Sequence, residues 1–460
     1  MKCVQAVEAA LRRHFGDWNQ PAATRRARSE VLKQLVVILM AVFIGRAVAA
    51  GSPAIVKVDY RTFPGLARMD GNWSALLAGS DGKVYMGLAY HGGGGYLVYY
   101  DSKTNTVHEV GNLNVLCGQQ FLREGPQSKI HTKFAQGKDG KIYFATQYGH
   151  DFDFAREAVP GGYPGGHWMV FDPKTGRVTD LGIAYPYQGI IAGAYDPIYN
   201  RYFGLTDPHG EFAYYDITDH TEKNLGRFNN WESLCRTLVV DDRGDAYGSF
   251  GHGQIFKYDP RTDSVRELSV RLPIRQKGIS LGRDYNKSAT AWRVAVWDEQ
   301  TKKFYGVEES ATTLFSFDPY AGKDGVVKTL GQLSLPALRN SRKVPYATLS
   351  LTLGHNRKLY YAASAQQFDY SGSAAGIAAS HLMTYDLRTG QIKDLGEMRL
   401  PDGRPVLGTD SATTGPDGTI YFGGAIEVNP QPGKPVKAAG KISGVYYRLA
   451  IIIYHPPGQR

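Results

Sequence analysis

A short motif recurs seven times along this chain, and its spacing constrains the fold more than any other feature of the sequence. In its clearest form the motif is a polar turn followed by the start of a strand, as in Gly137-Lys-Asp-Gly-Lys-Ile-Tyr143. The copies lie on average about 56 residues apart, a length typical of one structural unit in a repeat protein. The motifs end at Tyr85, Tyr143, Tyr202, Tyr247, Tyr305, Tyr360 and Tyr421.

A second turn lies within most repeats and begins with an aromatic residue followed by Asp, as in Tyr258-Asp-Pro-Arg-Thr262. Apolar and polar residues alternate on both sides of the two turns, which is the pattern of half-buried β-strands. Each repeat therefore contains four antiparallel strands. Seven such units predict an all-β fold, a seven-bladed β-propeller of four-stranded antiparallel blades. The segment Ile55-Val-Lys-Val-Asp-Tyr60 alternates too, and could supply the outer strand that closes the ring on the last blade.

The first fifty residues differ in character from the repeats. Basic residues, among them Arg25 and Arg26, precede a short apolar run from Leu35 to Ile44, and small residues follow. This arrangement predicts an export signal in residues 1–50, with an uncleaved anchor as the alternative. The apolar run is too short for a comfortable membrane span. We therefore expect a secreted or periplasmic protein with no span after processing, in which residues 51–460 form a single propeller domain.

The chain has 3 Cys, which exclude a disulfide scaffold and a four-Cys zinc site. Removal of the export segment would take away Cys3. Cys117 and Cys235 would then form one disulfide or remain as two buried thiols, and the second arrangement is the one we predict.

The repeat also predicts which residues meet at the central channel. The inner strand of each blade begins twelve residues before the repeat tyrosine, and the second strand ends five to seven residues after it. Four His fall in this second position, which polar loop ends alone would rarely produce. We predict a cationic, proton-handling cup formed by His131, His150, His209, Arg236 and Arg293, because the proton of histidine moves near neutral pH. The other residues at these positions are Trp73, Ile190, Cys235, Thr348, Thr409, Asp410, His91 and His252.

One blade carries a more specific pattern. Ser128-Lys-Ile-His131-Thr-Lys133, followed by a repeat motif and then Gly149-His150, resembles the His-pair blade of the seven-bladed propeller polysaccharide lyases, the ulvan lyases and rhamnosyl-glucuronate lyases. The resemblance implies β-elimination at a 4-linked uronic acid, with His131 and His150 as the catalytic pair.

The same family also implies a Tyr and an Arg beside the substrate. Tyr187 lies just before the inner strand of the next blade and Tyr195 at its far turn, while His209 occupies the position where an Arg would be expected. The proton-transfer residue is therefore Tyr187, Tyr195 or a His.

This chemistry has clear requirements. Cations must neutralise the uronate carboxylate, for which Arg236 and Arg293 are the candidates, and acid–base groups must move two protons. His91 would contact the substrate, and Trp73 and Trp292 could stack on sugar rings. No cofactor is needed, although a structural calcium or zinc ion remains open, with Asp151 and Asp153 as weak candidate ligands.

The formal charge of +10 agrees with an acidic polysaccharide as partner. The chain after the export segment has no Lys/Arg-rich run, which argues against nucleic acid. We expect a monomer.

Two other functions compete: another enzyme on the same scaffold, such as a propeller rhamnosidase or a virginiamycin-B-lyase-like eliminase, and a non-catalytic glycan-binding propeller. A glycosidase would need a carboxylate pair, whereas Asp410 and Glu309 lie on separate blades.

Overall fold

The strands of the protein form a ring of seven sheets in the part of the chain that the structure describes. This computed structural model describes residues 54–119, 126–149, 162–227, 235–250, 253–273, 292–308, 313–335, 350–363, 379–430, 432, 435–442 and 445–458. Each sheet contains four antiparallel strands, and one sheet has an additional parallel strand at its edge, so the predicted seven-bladed propeller is confirmed.

Each of the first five blades is built from four strands that are consecutive along the chain. They are preceded by β1 (Ile55–Lys57) and β2 (Asp59–Thr62), which pair with the last two blades. Blade 1 contains β3 (Leu76–Ala78), β4 (Lys83–Leu88), β5 (Tyr96–Asp101) and β6 (Thr106–Asn112), and it is followed by the one-turn helix α1 (Leu113–Leu116). Blade 2 contains β7 (Ala135–Gln136), β8 (Ile142–Ala145), β9 (Gly165–Asp172) and β10 (Arg177–Pro186). Blade 3 contains β11 (Gly189–Asp196), β12 (Arg201–Asp207), β13 (Glu211–Asp216) and β14 (Thr221–Arg227).

The remaining blades continue the same order. Blade 4 contains β15 (Val239–Val240), β16 (Ala246–Ser249), β17 (Gln254–Asp259) and β18 (Ser264–Arg271). Blade 5 contains β19 (Trp292–Asp298), β20 (Lys303–Glu308), β21 (Thr313–Asp318) and β22 (Val326–Gln332). Blade 6 contains β23 (Leu351–Leu353), β24 (Lys358–Ala363), β25 (His381–Asp386) and β26 (Ile392–Arg399). Blade 7 contains β27 (Val406–Thr414), β28 (Ile420–Glu427) and β30 (Val445–Tyr454), with β29 (Gly440–Ile442) paired beside β30.

The segment predicted to close the ring is divided between two blades. β2 pairs antiparallel with β30 and so becomes the outer strand of blade 7. β1, just before it, pairs parallel with β26 of blade 6. On the inner side, the amide of Ala78 in blade 1 donates a hydrogen bond of 3.1 Å to Thr413 Oγ1 in blade 7. The predicted closure by this segment is therefore confirmed, with the pairing to the last blade made by Asp59–Thr62.

The repeat motif has a common structural cause. In blade 2 the hydroxyl of Tyr143 donates to Asp139 Oδ2 over 3.0 Å, and Asp139 Oδ1 accepts from the amide of Lys141. The tyrosine ring also packs on Gly137, where a Cβ would lie 2.8 Å from a ring carbon. Blade 1 repeats the arrangement with Tyr85 and Asp81. In these two blades Gly, Asp and Tyr belong to one turn, whereas in blade 4 an Asp stands at the glycine position and Asp241 Oδ2 accepts from the hydroxyl of Tyr247.

Two further sequence predictions concern the ends of the chain and the cysteines. The export segment, residues 1–50, lies outside the described residues. Among the residues that are described, no helix is long and apolar enough to cross a membrane. Cys117 and Cys235 are both buried as separate thiols, which confirms the prediction of two thiols over a disulfide.

Candidate functional site

His131 lies in the chain segment that leads into the inner strand of blade 2. Its side chain is buried, with 3% of its surface exposed. Its Nδ1 lies 2.8 Å from the carbonyl oxygen of Ile191 in blade 3. A carbonyl can only accept, so Nδ1 carries the proton of the neutral ring and Nε2 carries the lone pair. The fold thus fixes one tautomer, with the basic nitrogen turned away from Ile191.

Three cationic side chains lie close enough to this imidazole to act on its pKa. Burial lowers the pKa of His131 well below its ordinary value, and Lys129, Arg293 and Arg236 lower it further. Lys129 precedes His131 by two residues, whereas Arg236 and Arg293 come from blades 4 and 5. His131 is therefore a neutral base in a positively charged site at neutral pH.

Aromatic rings line the blade 1 side of the site. The Trp73 indole lies parallel to the His131 ring, with 6.4 Å between their centroids. The ring of His91 meets Trp73 edge-on at 5.0 Å. His91 is held by Asp70, which accepts from its backbone amide at 3.0 Å and lies 2.9 Å from its Nδ1. The ammonium of Lys129 lies over the Trp73 ring, 5.2 Å from the centroid.

Two carboxyl groups interact electrostatically with these cations. Asp207, at the end of β12, accepts hydrogen bonds from Gln147 Nε2 at 2.6 Å and from the Tyr148 hydroxyl at 2.8 Å. Burial raises the pKa of Asp207, and the nearby Lys129 opposes that shift. Asp410, in β27, has its pKa raised to about 7 by burial, while Arg293 opposes the shift.

Three residues of the site lie at β-bulges in the inner strands of their blades. Each of the inner strands β11, β19 and β27 has an extra residue between consecutive pairs with the second strand of its blade. The extra residues are Ile191 in β11, Arg293 in β19, and Asp410 in β27, which has a second irregularity at Leu407. A bulge changes the direction of the extra residue relative to the regular alternation of the strand. The carbonyl that binds His131, a buried guanidinium and a perturbed carboxyl group thus all depend on the same local irregularity.

The other predicted residues of blade 3 lie at its channel-side rim or away from it. Tyr187 is in the turn between β10 and β11, at a φ of 64°, with half of its surface exposed. The backbone of His209 is held in the turn after β12, where its amide donates to Gln188 Oε1 at 3.1 Å. Tyr195 lies at the opposite end of β11 and stacks on Tyr143. That position removes Tyr195 from the candidates for proton transfer.

The prediction for Trp292 is wrong. Its indole is fully buried against Phe304, Phe315 and Phe317, so neither face is open to a sugar. The reason is the side of the strand on which it lies. Trp292 points into the blade, and the bulge at Arg293 turns that neighbouring residue in another direction.

Several predicted positions lie outside the described residues. They are His150, His252, Glu309, Thr348, Asp151 and Asp153. The proximity of His131 and His150 therefore stays a prediction. Within the described segments, no group of three His, Cys, Asp or Glu side chains could hold a metal ion.

Sequence reasoning missed Lys129, Tyr148 and Asp207. A signal existed for the first of them, because residues two apart in an extended segment share one side, and Lys129 stands two residues before His131. Tyr148 and Asp207 each follow a repeat tyrosine by five residues, within the interval that identified the histidines.

Comparison with known proteins supports the fold alone. No family model matches the sequence, and no curated protein matches it. The β-propeller domain of Cps50 (Swd1) from Myceliophteria thermophila is 9% identical with a TM-score of 0.51, over 87% of this chain and 100% of that one. The extracellular domain of a hybrid two-component system from B. thetaiotaomicron is 11% identical with a TM-score of 0.49. That match covers 86% of this chain, which spans only 39% of the length of that domain.

The WD40 repeats of RRP9 are similar at 10% identity with a TM-score of 0.49, over 87% of this chain and 98% of that one. Identities this low carry information about architecture and none about activity. The resemblance to the propeller polysaccharide lyases stays a prediction from the sequence.

Proposed function

We propose that this protein is a polysaccharide lyase that cleaves a 4-linked uronic acid by β-elimination, in a glucuronate-containing glycan with rhamnose as the candidate neighbouring sugar. One observation carries the proposal. A buried imidazole in a fixed neutral tautomer stands among three cations, two of them contributed by blades 4 and 5. That combination provides a base and a positive potential for an anionic substrate in one place.

The reaction makes use of both properties. Removal of the C5 proton leaves negative charge that spreads onto the uronate carboxylate, so cations beside that carboxylate stabilise the transition state. His131 Nε2 accepts the C5 proton. The C5–H electron pair becomes the C4=C5 double bond, and the C4–O4 bond breaks with its electrons on O4. Arg236 and Arg293 hold the anionic chain.

The departing O4 oxygen needs a proton from another group. We assign this role to Tyr187, whose side chain is half exposed on the rim and whose hydroxyl has no hydrogen-bond partner among the described residues. Tyr187 precedes Ile191, the residue whose carbonyl binds His131, by four positions. Its backbone therefore lies no more than about 13 Å from that of Ile191 along the chain. His209 on the same blade and His150 are the alternatives.

The low pKa of His131 in the unliganded protein is consistent with a basic role. The substrate carboxylate would offset the positive potential of the three cations and so raise the pKa of the imidazole towards its ordinary value. The base would thus gain strength when a uronate is bound. A neutral sugar would leave His131 a weak base, so substrate charge contributes to selectivity.

The site of action follows from the predicted export segment. A polysaccharide substrate lies outside the cytoplasm, so we propose that the protein works as a secreted or periplasmic enzyme. This part of the proposal rests on residues 1–50 alone.

The test is incubation of the purified full-length protein with uronic-acid polysaccharides, including a rhamnose–glucuronate polymer. Elimination creates an unsaturated uronate that absorbs in the ultraviolet, whereas hydrolysis creates reducing ends without that absorbance. The matched control is the same polymer with its carboxyl groups reduced to alcohols. We expect ultraviolet absorbance to rise with the acidic polymer only. Reducing ends without absorbance would favour a glycosidase, and binding without either product would favour a non-catalytic propeller.

A further inference from the structure

Lys129 is a buried lysine whose ammonium group has no hydrogen-bond acceptor among the described residues. Only 2% of its surface is exposed. No carbonyl or carboxylate of the described residues accepts a hydrogen bond from its Nζ, which lies over the face of Trp73, 5.2 Å from the ring centroid. A buried charge without a hydrogen-bonded partner is unfavourable, so such groups normally have one.

Two other lysines of the ring have the hydrogen-bond acceptor that Lys129 is without among the described residues. The ammonium of Lys257 pairs with the buried carboxylate of Asp245. The ammonium of Lys133 donates to the backbone carbonyl of Ala295. These two lysines have an acceptor in the part of the chain that the structure describes, and Lys129 does not.

Within the described residues, the carboxylates that act on Lys129 are hydrogen-bonded to other side chains. The nearest acidic residues that act on it electrostatically are Asp207 and Asp70. Asp207 already accepts from Gln147 and Tyr148. Asp70 is engaged by His91. The other groups that act on Lys129 are Arg236 and Arg293, both cations. An anion from outside the chain is the acceptor that fits this environment.

We propose that Lys129 binds the carboxylate of the uronate, with its ammonium held over Trp73. This inference rests on the proposed function and adds the residue that anchors the reacting sugar. Lys129 and His131 are two residues apart in the chain, and both lie against Trp73: its indole is parallel to the His131 ring at 6.4 Å and lies 5.2 Å from the Lys129 ammonium. The carboxyl carbon of a uronate is bonded to C5. A carboxylate on Lys129 therefore brings the C5 proton towards His131 Nε2.

A Lys129→Met variant keeps the length of the side chain and removes its charge. The matched control is Lys83→Met, because Lys83 also lies over an aromatic ring, at 5.0 Å from Tyr99, but it stands at the start of β4 and is paired with Asp81. The probes are sodium glucuronate, glucose and sodium sulfate, added to the full-length protein at matched ionic strength. The readouts are the midpoint of thermal unfolding and the Kd from calorimetry.

We expect glucuronate, and not glucose, to raise the unfolding midpoint of the wild type and of Lys83→Met. Lys129→Met should lose this shift and bind glucuronate at least tenfold more weakly, as expected for loss of a charge-assisted hydrogen bond. Without ligand, Lys129→Met should unfold at a higher temperature than the wild type, because the uncompensated charge is gone. That opposite sign distinguishes loss of the site from general damage to the fold.

Glucuronate binding by Lys129→Met with wild-type affinity would overturn the proposal. An equal response of the wild type to sulfate would overturn the assignment to a carboxylate. Should Lys129→Met fail to fold, Lys129→Arg keeps the charge and is expected to retain binding within tenfold, and complete loss in a folded Lys129→Arg would contradict the proposal. If glucuronate binds as described but no unsaturated product ever forms, the anion site stands and the proposed elimination fails.

Discussion

At the scale of single residues, the environment of His131 differs from that of a side chain at an open channel mouth. Its Nδ1–H is used by the carbonyl of Ile191, and its ring is almost completely buried. The residue therefore contributes to the stability of the ring as well as to the proposed chemistry. These two contributions can be separated because they use different nitrogen atoms.

Asn at position 131 places an amide nitrogen near the position of Nδ1 and nothing at the position of Nε2. We expect His131→Ala to lower the free energy of unfolding by about 1–3 kcal/mol, because the carbonyl of Ile191 loses its donor. His131→Asn should keep most of that free energy. Chemical denaturation of the two variants and the wild type measures the difference. Equal destabilisation by Asn and Ala would show that the hydrogen bond to Ile191 contributes little.

The lowered pKa of Lys129 predicts that the free energy of unfolding depends on pH. Burial lowers its pKa from 10.5 to about 8, with Arg236, Arg293 and the carboxylates of Asp207 and Asp70 also acting on it. Between these values the unfolded chain holds a proton that the folded protein has released, so stability gains from this residue as pH rises from about 8 to 10.5.

The free energy of unfolding of the wild type should therefore rise relative to that of Lys129→Met across this interval. Urea denaturation of the two proteins at a series of pH values measures it. His131, which also lies in this cluster, is neutral throughout the interval and is common to both proteins, so it does not obscure the difference. A constant difference between the two proteins would contradict a lowered pKa.

At the scale of the element, the sequence predicted the blades because a polar turn before an aromatic strand recurs at regular spacing. In blade 2 this turn combines a glycine packed against the tyrosine ring with an Asp that accepts from the tyrosine hydroxyl, as in Gly137, Asp139 and Tyr143. The site was predicted less completely. The channel ends of three inner strands contain bulges, and a bulge is set by tertiary packing and not by the alternation of residues. Trp292 was consequently assigned to the channel although it lies in the core.

The turn also gives a prediction about stability. Tyr143→Phe removes the hydroxyl that donates to Asp139 and leaves the ring on Gly137. We expect a loss of about 1 kcal/mol in the free energy of unfolding. The control is Tyr187→Phe, whose hydroxyl lies on the exposed rim and should change stability by less than about 0.5 kcal/mol. A Tyr143→Phe protein as stable as the control would show that the ring alone maintains the turn.

At the scale of the whole molecule, the ring is closed by a strand from the start of the described chain. β2 covers β30, whose sequence Val445-Tyr-Tyr-Arg-Leu-Ala-Ile-Ile-Ile-Tyr454 is largely apolar. An exposed edge of this kind promotes association with other chains. Closure therefore protects the last blade in addition to joining it to the first.

Two truncated chains test the closure. A chain that begins at Asp59 loses β1 and keeps β2, whereas a chain that begins at Phe63 loses both. We expect the first to remain a folded monomer with slightly lower stability. The second should unfold at a clearly lower temperature and self-associate, as measured by thermal unfolding and light scattering. Equal behaviour of the two chains would contradict a closing role for β2.

The positive charge at the site also depends on the whole ring. Lys129 of blade 2, Arg236 of blade 4 and Arg293 of blade 5 all act electrostatically on His131. Only the ring brings these distant segments together. The proposed elimination depends on that assembly and on the lone pair of His131 Nε2.

The most direct test of this account is the rate at which His131→Asn forms unsaturated uronate from a polymer that the wild type cleaves. The variant keeps the donor to Ile191 and lacks the base, so its turnover should fall by about two to four orders of magnitude while its unfolding curve stays close to that of the wild type. A folded His131→Asn protein that forms the unsaturated product at the wild-type rate would contradict the account.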